Sequence, residues 1–285
     1  MTTVLILGAS GMLGNAMLRV FSQSEGYRAL GTVRSARALK LLPEQLHATL
    51  IVGVDVENFD SLSRAIAWAK PDVVVNCIGV VKQLAGSDDP LNSIPINSLL
   101  PHRLARLCEL ASARLVHIST DCVFSGKKGQ YTETDFADAN DVYGRSKFLG
   151  EVDYANAITL RTSIIGHELE HAHSLIGWFL AQRGPIKGFT QAIFSGLPTN
   201  ELAQVIRDFV LPHRELQGTY HVSAEPINKY DLLRLVATAY GKDTSILPDS
   251  SLVIDRSLIS ERFCKATGYC SKSWIQLIQS MREFG

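Results

Sequence analysis

The sequence predicts an α/β fold, a doubly wound parallel sheet of the Rossmann type followed by a smaller C-terminal lobe. Short apolar runs alternate with amphipathic segments through the N-terminal half, which is the rhythm of a chain built from βαβ units. Residues 73–75 are three consecutive valines, typical of a strand buried on both faces of a parallel sheet. Three glycines, Gly8, Gly11 and Gly14, separate the first apolar run from the first amphipathic segment.

Six strands are predicted in chain order from their apolar runs. They cover residues 4–7, 28–33, 50–54, 73–75, 115–118 and 158–161. Four connecting helices are predicted: from the glycine turn through about 21, from about 61 to 70, from 97 to 112, and from 142 to about 151. In the second of these helices, either Asp60 or Ser61 is suited to be the N-cap, and Pro71 ends the helix.

The regular alternation ends after about Ser163, and the remaining sequence predicts a smaller lobe that begins with a histidine-rich loop. Its predicted helices cover about 175–182, run from Thr199 or Asn200 as the N-cap to near 211, and run from Asn228 as the N-cap to 240, where Gly241 stops the helix. We therefore predict a dinucleotide-binding domain over 1–163. Residues 164–285 are predicted to form a mainly substrate-binding lobe, with some segments that return to the Rossmann domain.

The composition is that of an ordinary globular protein. Hydrophobic residues make up 46% and charged residues 20% of the 285 residues, which excludes a disordered, fibrous or coiled-coil protein. Basic and acidic residues number 28 each, so net charge does not draw the chain to nucleic acid. The sequence offers neither an apolar stretch near the roughly 20 residues of a membrane helix nor a signal peptide, so we expect a cytoplasmic protein without a membrane partner. Five cysteines without a CxxC pair argue against a disulfide framework or a zinc site.

The glycine-rich turn predicts a dinucleotide site. Glycines between a strand and a helix permit a tight turn and let backbone amides approach a pyrophosphate at the positive end of the helix. The spacing of the three glycines is the version seen in short-chain dehydrogenases. The cofactor contacts predicted from this turn are Gly8, Ser10, Gly11, Met12, Leu13 and Gly14.

Residues that follow the next strands predict further cofactor contacts. Arg34 suits a 2′-phosphate because its planar guanidinium stays charged, and it therefore favours NADPH, with NADH as the alternative. Asp55 and Val56 suit the adenine edge, and Gly79 would let the backbone approach the ribose. The predicted contacts in this part of the site are Arg34, Asp55, Val56, Cys77, Ile78, Gly79, Tyr143, Lys147 and Thr162.

The residues with catalytic potential lie between 119 and 147. Tyr143 and Lys147 are four residues apart on one predicted helix, so both side chains point to the same face. A neighbouring ammonium favours the phenolate and lowers the pKa of the tyrosine, which makes Tyr143 a proton donor near neutral pH. Thr120, at the end of the fifth strand, supplies a hydroxyl for a carbonyl oxygen that becomes an alkoxide. Thr120, Tyr143 and Lys147 are therefore the predicted catalytic residues.

Together these motifs resemble the extended short-chain dehydrogenase/reductase family, and within it the dTDP-4-dehydrorhamnose reductases. The similarity lies in Ser-Thr-Asp-Cys-Val-Phe-Ser-Gly at 119–126, Tyr-Thr-Glu-Thr-Asp at 131–135, Tyr-Gly-Arg-Ser-Lys-Phe-Leu-Gly-Glu at 143–151 and Leu-Arg-Thr-Ser at 160–163, and it thins after about residue 165. The resemblance implies reduction of a 4-keto (6-deoxy) nucleotide sugar for surface polysaccharide synthesis, with hydride from NADPH and a proton from Tyr143. It also implies that Lys147 holds the nicotinamide ribose and that Asn97 helps to position the active-site strand.

Two positions depart from that family pattern. Cys122 stands where an aromatic residue is usual, and a cysteine there is similar to GDP-fucose synthases, which implies as an alternative a bifunctional nucleotide-sugar epimerase/reductase. Cys122 would then transfer a proton, with His167 or His171 as its partner. Asn15 stands where some relatives carry an acidic residue linked to a magnesium-bridged dimer, so we predict no metal site.

Weaker signals concern the substrate and other partners. The predicted substrate contacts are Lys82, Cys122, Ser195 and Arg256, with Gln83 and Lys187 as further candidates for the sugar and diphosphate and Trp178 and Phe179 for stacking on a base. A second alternative is a non-catalytic NADP-binding regulatory subunit, since members of this branch include one that binds methionine adenosyltransferase. Helices that flank such a sheet often form dimers, so a homodimer is compatible with the sequence.

Overall fold

The computed structural model describes residues 1–82, 86–170 and 172–285. These residues form two compact units. The first unit comprises Met1–Ser119, Asn140–Leu160 and His213–Thr219, and the second comprises Thr120–Ala139, Arg161–Pro212 and Tyr220–Gly285. Each unit therefore combines three separate stretches of the chain, and the division does not fall at a single sequence position near residue 163. The assignment of cofactor and substrate to separate domains stays a prediction.

Strands and helices alternate through the first 165 residues, and the strands described afterwards have at most four residues. The strands are β1 (Thr2–Leu7), β2 (Tyr27–Val33), β3 (Leu50–Val52), β4 (Val73–Asn76), β5 (Arg114–Thr120), β6 (Ala157–Thr162), β7 (Ile164–Ile165), β8 (Ile186–Phe189), β9 (Ala192–Phe194), β10 (Leu197–Pro198), β11 (Gly218–His221), β12 (Ile227–Asn228), β13 (Ile246–Asp249) and β14 (Ile254–Asp255). The α-helices are α1 (Met12–Ser22), α2 (Phe59–Ala69), α3 (Pro90–Ser93), α4 (Leu100–Leu110), α5 (Val142–Leu149), α6 (Leu175–Ala181), α7 (Thr199–Val205), α8 (Lys229–Tyr240), α9 (Glu261–Thr267) and α10 (Trp274–Phe284). Two π-helical segments cover Ile94–Leu99 and Ile206–Val210.

The central sheet has seven strands in the order β11-β6-β5-β4-β1-β2-β3. The pairs β1–β2, β2–β3, β1–β4 and β4–β5 are parallel. The order reverses beside β1, which confirms the predicted doubly wound sheet. The seventh strand, β11, was not predicted, because its sequence Gly-Thr-Tyr-His contains no apolar run.

The core of the first unit lies between the sheet and the helices that cover it. Leu5 of β1, Val74 of β4 and Leu115 of β5 are fully buried, and they belong to one apolar cluster with Leu62 of α2 and Leu104 of α4. Burial of apolar surface is the main favourable contribution to folding. This packing fixes the ends of β1, β4 and β5 in space, and the predicted site residues follow those ends.

Helix α2 begins two residues earlier than predicted. Asn58 is its N-cap, since Asn58 Oδ1 accepts a hydrogen bond from the Ser61 backbone N–H at 3.0 Å. The proposed N-caps Asp60 and Ser61 are wrong, because both residues already lie inside the helix. The helix ends at Ala69, and the next residue adopts a left-handed conformation before Pro71.

The predicted helix over 97–112 is longer at its start and irregular. Its helical backbone begins with α3 at Pro90, where the Asp89 side chain accepts a hydrogen bond from the Leu91 N–H at 2.9 Å. The π-helical segment Ile94–Leu99 then joins α3 to α4. Proline in a helix interior removes a backbone N–H donor and is therefore usually a sign against a helix. Because of Pro95, the sequence did not predict that the helical backbone begins before residue 97.

The described residues of the second unit form three small sheets and five α-helices. One of the two helix-capping predictions for this unit is confirmed. Asn228 Oδ1 accepts from the Asp231 N–H at 2.8 Å at the start of α8, and Gly241, with φ of 62°, ends that helix. The other prediction is wrong, because α7 follows Pro198 and Thr199 is already its first residue.

Among the described residues, no helix combines the length and the apolarity needed to cross a membrane.

Candidate active site

The glycine turn joins β1 to α1 in a conformation that side chains would not allow. Gly8 has φ of 82°, and a Cβ atom on it would lie 2.8 Å from Ile78 Cγ1. A Cβ on Gly14 would overlap the Gly8 carbonyl oxygen and lie 3.0 Å from Ala9 Cα. The first turn of α1 therefore packs directly on the backbone of the turn, and the turn packs against the loop after β4.

The N-terminus of α1 is suited to bind an anion. Its N-cap is Gly11, which has no side chain to occupy the first backbone N–H groups, and its first turn contains no acidic residue. Unoccupied N–H groups and the helix dipole both favour a negative charge at this position. The geometry supports the predicted role of the turn in holding a pyrophosphate.

The outer cofactor candidates lie at strand ends, as predicted. Arg34 directly follows β2 and is exposed. Asp55 is exposed beyond β3, and its Oδ1 accepts from the Glu57 N–H at 3.1 Å, so this carboxylate also stabilises a local turn. Val56 is partly buried and packs against the core. Their contacts with a cofactor stay predictions.

A buried amide and imidazole support the loop after β4. Asn76 Oδ1 accepts from the Ile78 N–H at 3.1 Å, so its Nδ2 donates to His117 Nδ1 at 3.2 Å. Both side chains are fully buried. Burial and the charge of Lys147 lower the pKa of His117 well below its usual range, which keeps the ring neutral. Sequence reasoning missed this pair, although a polar residue at the end of an apolar strand was a usable signal.

Asn97 joins the same loop to the helix that carries Tyr143. Its side-chain amide accepts from the Val80 N–H at 2.9 Å and donates to the Val80 carbonyl at 3.1 Å. Its Nδ2 also donates to Ser146 Oγ at 3.1 Å. A Cβ on Gly79 would lie 3.4 Å from Asn97 Oδ1 and 4.0 Å from Lys147 Nζ, so the loop, Asn97 and the lysine meet at one place.

Replacing Asn97 with alanine is expected to lower the free energy of unfolding by about 1–3 kcal/mol, because the Val80 backbone groups lose their partners. Urea denaturation followed by circular dichroism measures the change. Asn92→Ala is the matched control, since Asn92 is exposed and donates one bond to the Gly86 carbonyl. Equal stability losses in the two variants would contradict the supporting role of Asn97.

Helix α5 presents Tyr143 and Lys147 from one face. Asp141 is the N-cap, with Oδ1 accepting from the Gly144 N–H at 2.7 Å, and it places Tyr143 in the first turn. Lys147 is 5% exposed, and its Nζ donates to the Ile118 carbonyl of β5 at 2.8 Å. Burial lowers the pKa of Lys147 to about 8, while the charge of Glu151 acts to raise it. The amine is therefore still mostly charged at pH 7, as its predicted role requires.

The two adjacent hydroxyls at the end of β5 have different partners. Ser119 Oγ donates to Glu151 Oε1 at 2.7 Å. Thr120 Oγ1 accepts from the Cys122 N–H at 3.1 Å and donates to Asp121 Oδ1 at 3.2 Å. The Ser119 hydroxyl is thus engaged by a carboxylate, which is consistent with the choice of Thr120 as the catalytic hydroxyl.

Arg256 meets the Thr120–Phe124 segment in the second unit. Its Nε donates to the Phe124 carbonyl at 2.8 Å, and its Nη1 lies 3.6 Å from Cys122 Sγ. Burial raises the pKa of Asp121, and the positive charge of Arg256 opposes that shift. The structure therefore brings two predicted substrate contacts, Cys122 and Arg256, together.

The thiol of Cys122 is poorly suited to act as a base. Burial, and next the negative charge of Asp121, raise its pKa to about 12. Of its proposed partners, His167 bonds through Nε2 to the Tyr240 hydroxyl at 2.8 Å, and His171 lies outside the described residues. These contacts give no support to the epimerase alternative.

The remaining substrate candidates are scattered. Ser195 is buried, and its Oγ accepts from the Leu258 N–H at 3.0 Å, so it supports the fold of the second unit. Lys82 is exposed and bonds at 2.6 Å to Asp141, which lies two residues before Tyr143 in sequence. Gln83 lies outside the described residues. The other substrate candidates are Lys187, which pairs with Asp249 at 3.4 Å, Trp178, which is half-exposed, and Phe179, which is fully buried. Thr162, a predicted cofactor contact, donates through its hydroxyl to the Ser163 carbonyl.

Comparison with known proteins identifies a family and relatives with two kinds of name. Residues 1–254 match the family model described as the RmlD substrate binding domain. The chain is 26% identical over 242 residues to the dTDP-4-dehydrorhamnose reductase of Aggregatibacter actinomycetemcomitans, covering 81% of this chain and 76% of that protein. It is 28% identical over 258 residues to methionine adenosyltransferase 2 subunit beta of Danio rerio, with coverage of 86% and 76%. Its fold is similar to the crystal structure of dTDP-4-dehydrorhamnose reductase from Bacillus anthracis in complex with NADP, with a TM-score of 0.80, 21% identity and coverage of 100% and 99%.

Proposed function

Because the chain belongs to the RmlD substrate binding domain family, an extended short-chain dehydrogenase/reductase-type family, we propose that it is an NADPH-dependent reductase of a 4-keto nucleotide sugar. The substrate is a 4-keto-6-deoxy sugar carried on a nucleoside diphosphate, and the product serves surface polysaccharide synthesis. The name of the reductase relative from Aggregatibacter supports this choice of substrate class.

The observation that carries the proposal is the placement of Lys147. Its amine is buried, is held by the Ile118 carbonyl, and lies beside Gly79 at the end of the predicted cofactor loop. Tyr143 precedes it by one helical turn on the same face. A buried cation in this position stabilises a phenolate, so it lowers the cost of giving up the phenolic proton.

The residues present fit a dinucleotide. The first N–H groups of α1 suit a pyrophosphate, and Gly79 leaves the space beside Lys147 open to a ribose. When bound, NADPH supplies a hydride for the keto carbon. Tyr143 donates its hydroxyl proton to the former keto oxygen, and Thr120 is proposed to donate a hydrogen bond to that oxygen. Lys147 holds the ribose, and its positive charge stabilises the phenolate of Tyr143.

Several relatives are named methionine adenosyltransferase 2 subunit beta, and this name suggests a regulatory subunit as a second candidate function. A subunit that only binds a nucleotide has no chemical need for a buried lysine one turn after a tyrosine. The presence of Thr120, Tyr143 and Lys147 therefore favours the reductase.

Turnover separates the two candidates. The protein is incubated with NADPH and a panel of 4-keto-6-deoxy nucleotide sugars, and the loss of nicotinamide absorbance is followed, with product stereochemistry determined afterwards. The proposal expects oxidation of NADPH that depends on a keto sugar. Tight NADPH binding with no oxidation across the panel would favour the regulatory subunit.

Arg34→Ala is expected to weaken NADPH binding by about 10- to 100-fold and to leave NADH binding unchanged, because only NADPH offers a 2′-phosphate to a charged fork. Quenching of protein fluorescence by each cofactor measures both affinities. Arg28→Ala is the control, since Arg28 is an exposed arginine at the other end of β2. A parallel loss of both affinities in Arg34→Ala would contradict a contact with the 2′-phosphate.

A further inference from the structure

Two neighbouring contacts tie the segment that follows Tyr143 to strand β5. Lys147 Nζ donates to the Ile118 carbonyl at 2.8 Å, and Ser119 Oγ donates to Glu151 Oε1 at 2.7 Å. Lys147 and Glu151 are four residues apart, and their partners are consecutive in the strand. The lysine and the carboxylate therefore bind consecutive residues of the strand, the lysine through a backbone carbonyl and the carboxylate through a side-chain hydroxyl.

Burial lowers the pKa of Lys147 and the charge of Glu151 acts to raise it, and Tyr143 lies one helical turn before the lysine on α5. His117 faces the lysine from β5 and stays neutral because burial and the lysine itself lower the pKa of the imidazole. His102 of α4 interacts electrostatically with His117 and is bonded to the Tyr154 hydroxyl and the Leu149 carbonyl. Among these groups Glu151 carries the negative charge. This charge raises the pKa of Lys147, whereas burial lowers it.

We infer that Glu151 is a positioning residue of the proposed reductase, which acts through its charge on Lys147 and through its hydrogen bond to the Ser119 hydroxyl. The inference rests on the proposed function, because the charge of Lys147 matters for a reaction in which Tyr143 gives up a proton. Glu151 touches neither substrate nor cofactor in this scheme. Its effect passes through Lys147 and through Ser119.

The two parts of this role can be separated by substitution. Glu151→Gln keeps the side-chain length and an oxygen that can accept from Ser119, but it removes the charge. Ser119→Ala keeps the charge and removes the hydrogen bond. An electrostatic role therefore predicts a change in the titration of Lys147 in the first variant and almost none in the second.

The decisive measurement is the titration of Lys147 by NMR in protein labelled at lysine Cε, with the signal assigned by its absence in Lys147→Met. The wild-type signal is expected to titrate near pH 8. Because a nearby carboxylate raises the pKa of an amine, Glu151→Gln is expected to lower the midpoint by about one pH unit. The midpoint in Ser119→Ala is expected to stay near that of the wild type.

A midpoint that is unchanged in Glu151→Gln, or that falls equally in Ser119→Ala, would overturn the inference. If Glu151→Gln does not fold, Glu151→Asp keeps the charge and must keep a midpoint near the wild-type value, and a fall of one unit there also overturns it. The titration requires no substrate. A shifted midpoint without keto-sugar reduction would count against the proposed function alone, and reduction with an unshifted midpoint would count against Glu151 alone.

Discussion

Tyr143→Phe is expected to lower kcat for keto-sugar reduction by about 10²- to 10⁴-fold, the usual contribution of a positioned general acid. Phenylalanine fills the same space on α5 but has no proton to give. Binding of NADPH is expected to change little, because the glycine turn and Lys147 are untouched. Steady-state kinetics with a reducible keto sugar, together with NADPH titrations, measure both quantities.

Tyr154→Phe provides the control for this substitution. Tyr154 lies in the same unit, and its hydroxyl is bonded to His102 rather than placed near the cofactor loop. Removal of that hydroxyl should leave kcat close to the wild-type value. Wild-type turnover in Tyr143→Phe would show that Tyr143 is not the proton donor. The proposed role of Lys147 in lowering the pKa of that tyrosine would then be wrong as well.

Gly14→Ala is expected to have the largest effect on the folded protein. The new methyl would overlap the Gly8 carbonyl oxygen and lie 2.7 Å from its carbon, and backbone atoms cannot move aside as a flexible side chain can. Overpacking costs about 1–3 kcal/mol, against a gain of about 0.5–1 kcal/mol for alanine in a helix. We expect a net loss of up to about 2.5 kcal/mol, and a displacement of the turn that reduces turnover by about 100-fold.

Gly184→Ala is the comparison for that substitution. A Cβ on Gly184 meets nothing within 4 Å, and its φ lies outside the left-handed range. Thermal unfolding and NADPH titration of the two variants show whether the effect depends on position. Wild-type stability and affinity in Gly14→Ala would mean that α1 does not need its close approach to the turn.

The sequence was informative where short-range patterns determine structure. Apolar runs predicted the six strands from β1 to β6, and the glycine spacing predicted the turn before α1. The helix that carries Tyr143 and Lys147 was predicted from 142 to about 151 and covers Val142–Leu149. In each case the controlling interactions lie within a few residues of the chain, so a local pattern carries the necessary information.

Contacts between distant segments could not be predicted in this way. Asn76 meets His117 across 41 positions, and Ser119 meets Glu151 across 32. Such pairs depend on which strands are neighbours and on the helix that follows them. Each residue alone looks like an ordinary polar residue near a strand or helix end. The predicted N-cap of α2 was wrong because several adjacent polar residues were equally suited to cap the helix. The predicted N-cap of α7 was wrong because the N-cap is Pro198, which has no capping side chain.

The π-helical segment Ile94–Leu99 should be sensitive to the insertion or deletion of single residues. A π-turn accommodates one residue more than an ordinary helical turn, and each helical residue rotates the next by about 100°. Deletion of one residue from this segment would restore regular winding and swing the Asn97 amide away from Val80. Insertions and deletions here should therefore be tolerated far less well than substitutions, although the segment contains no residue that reacts.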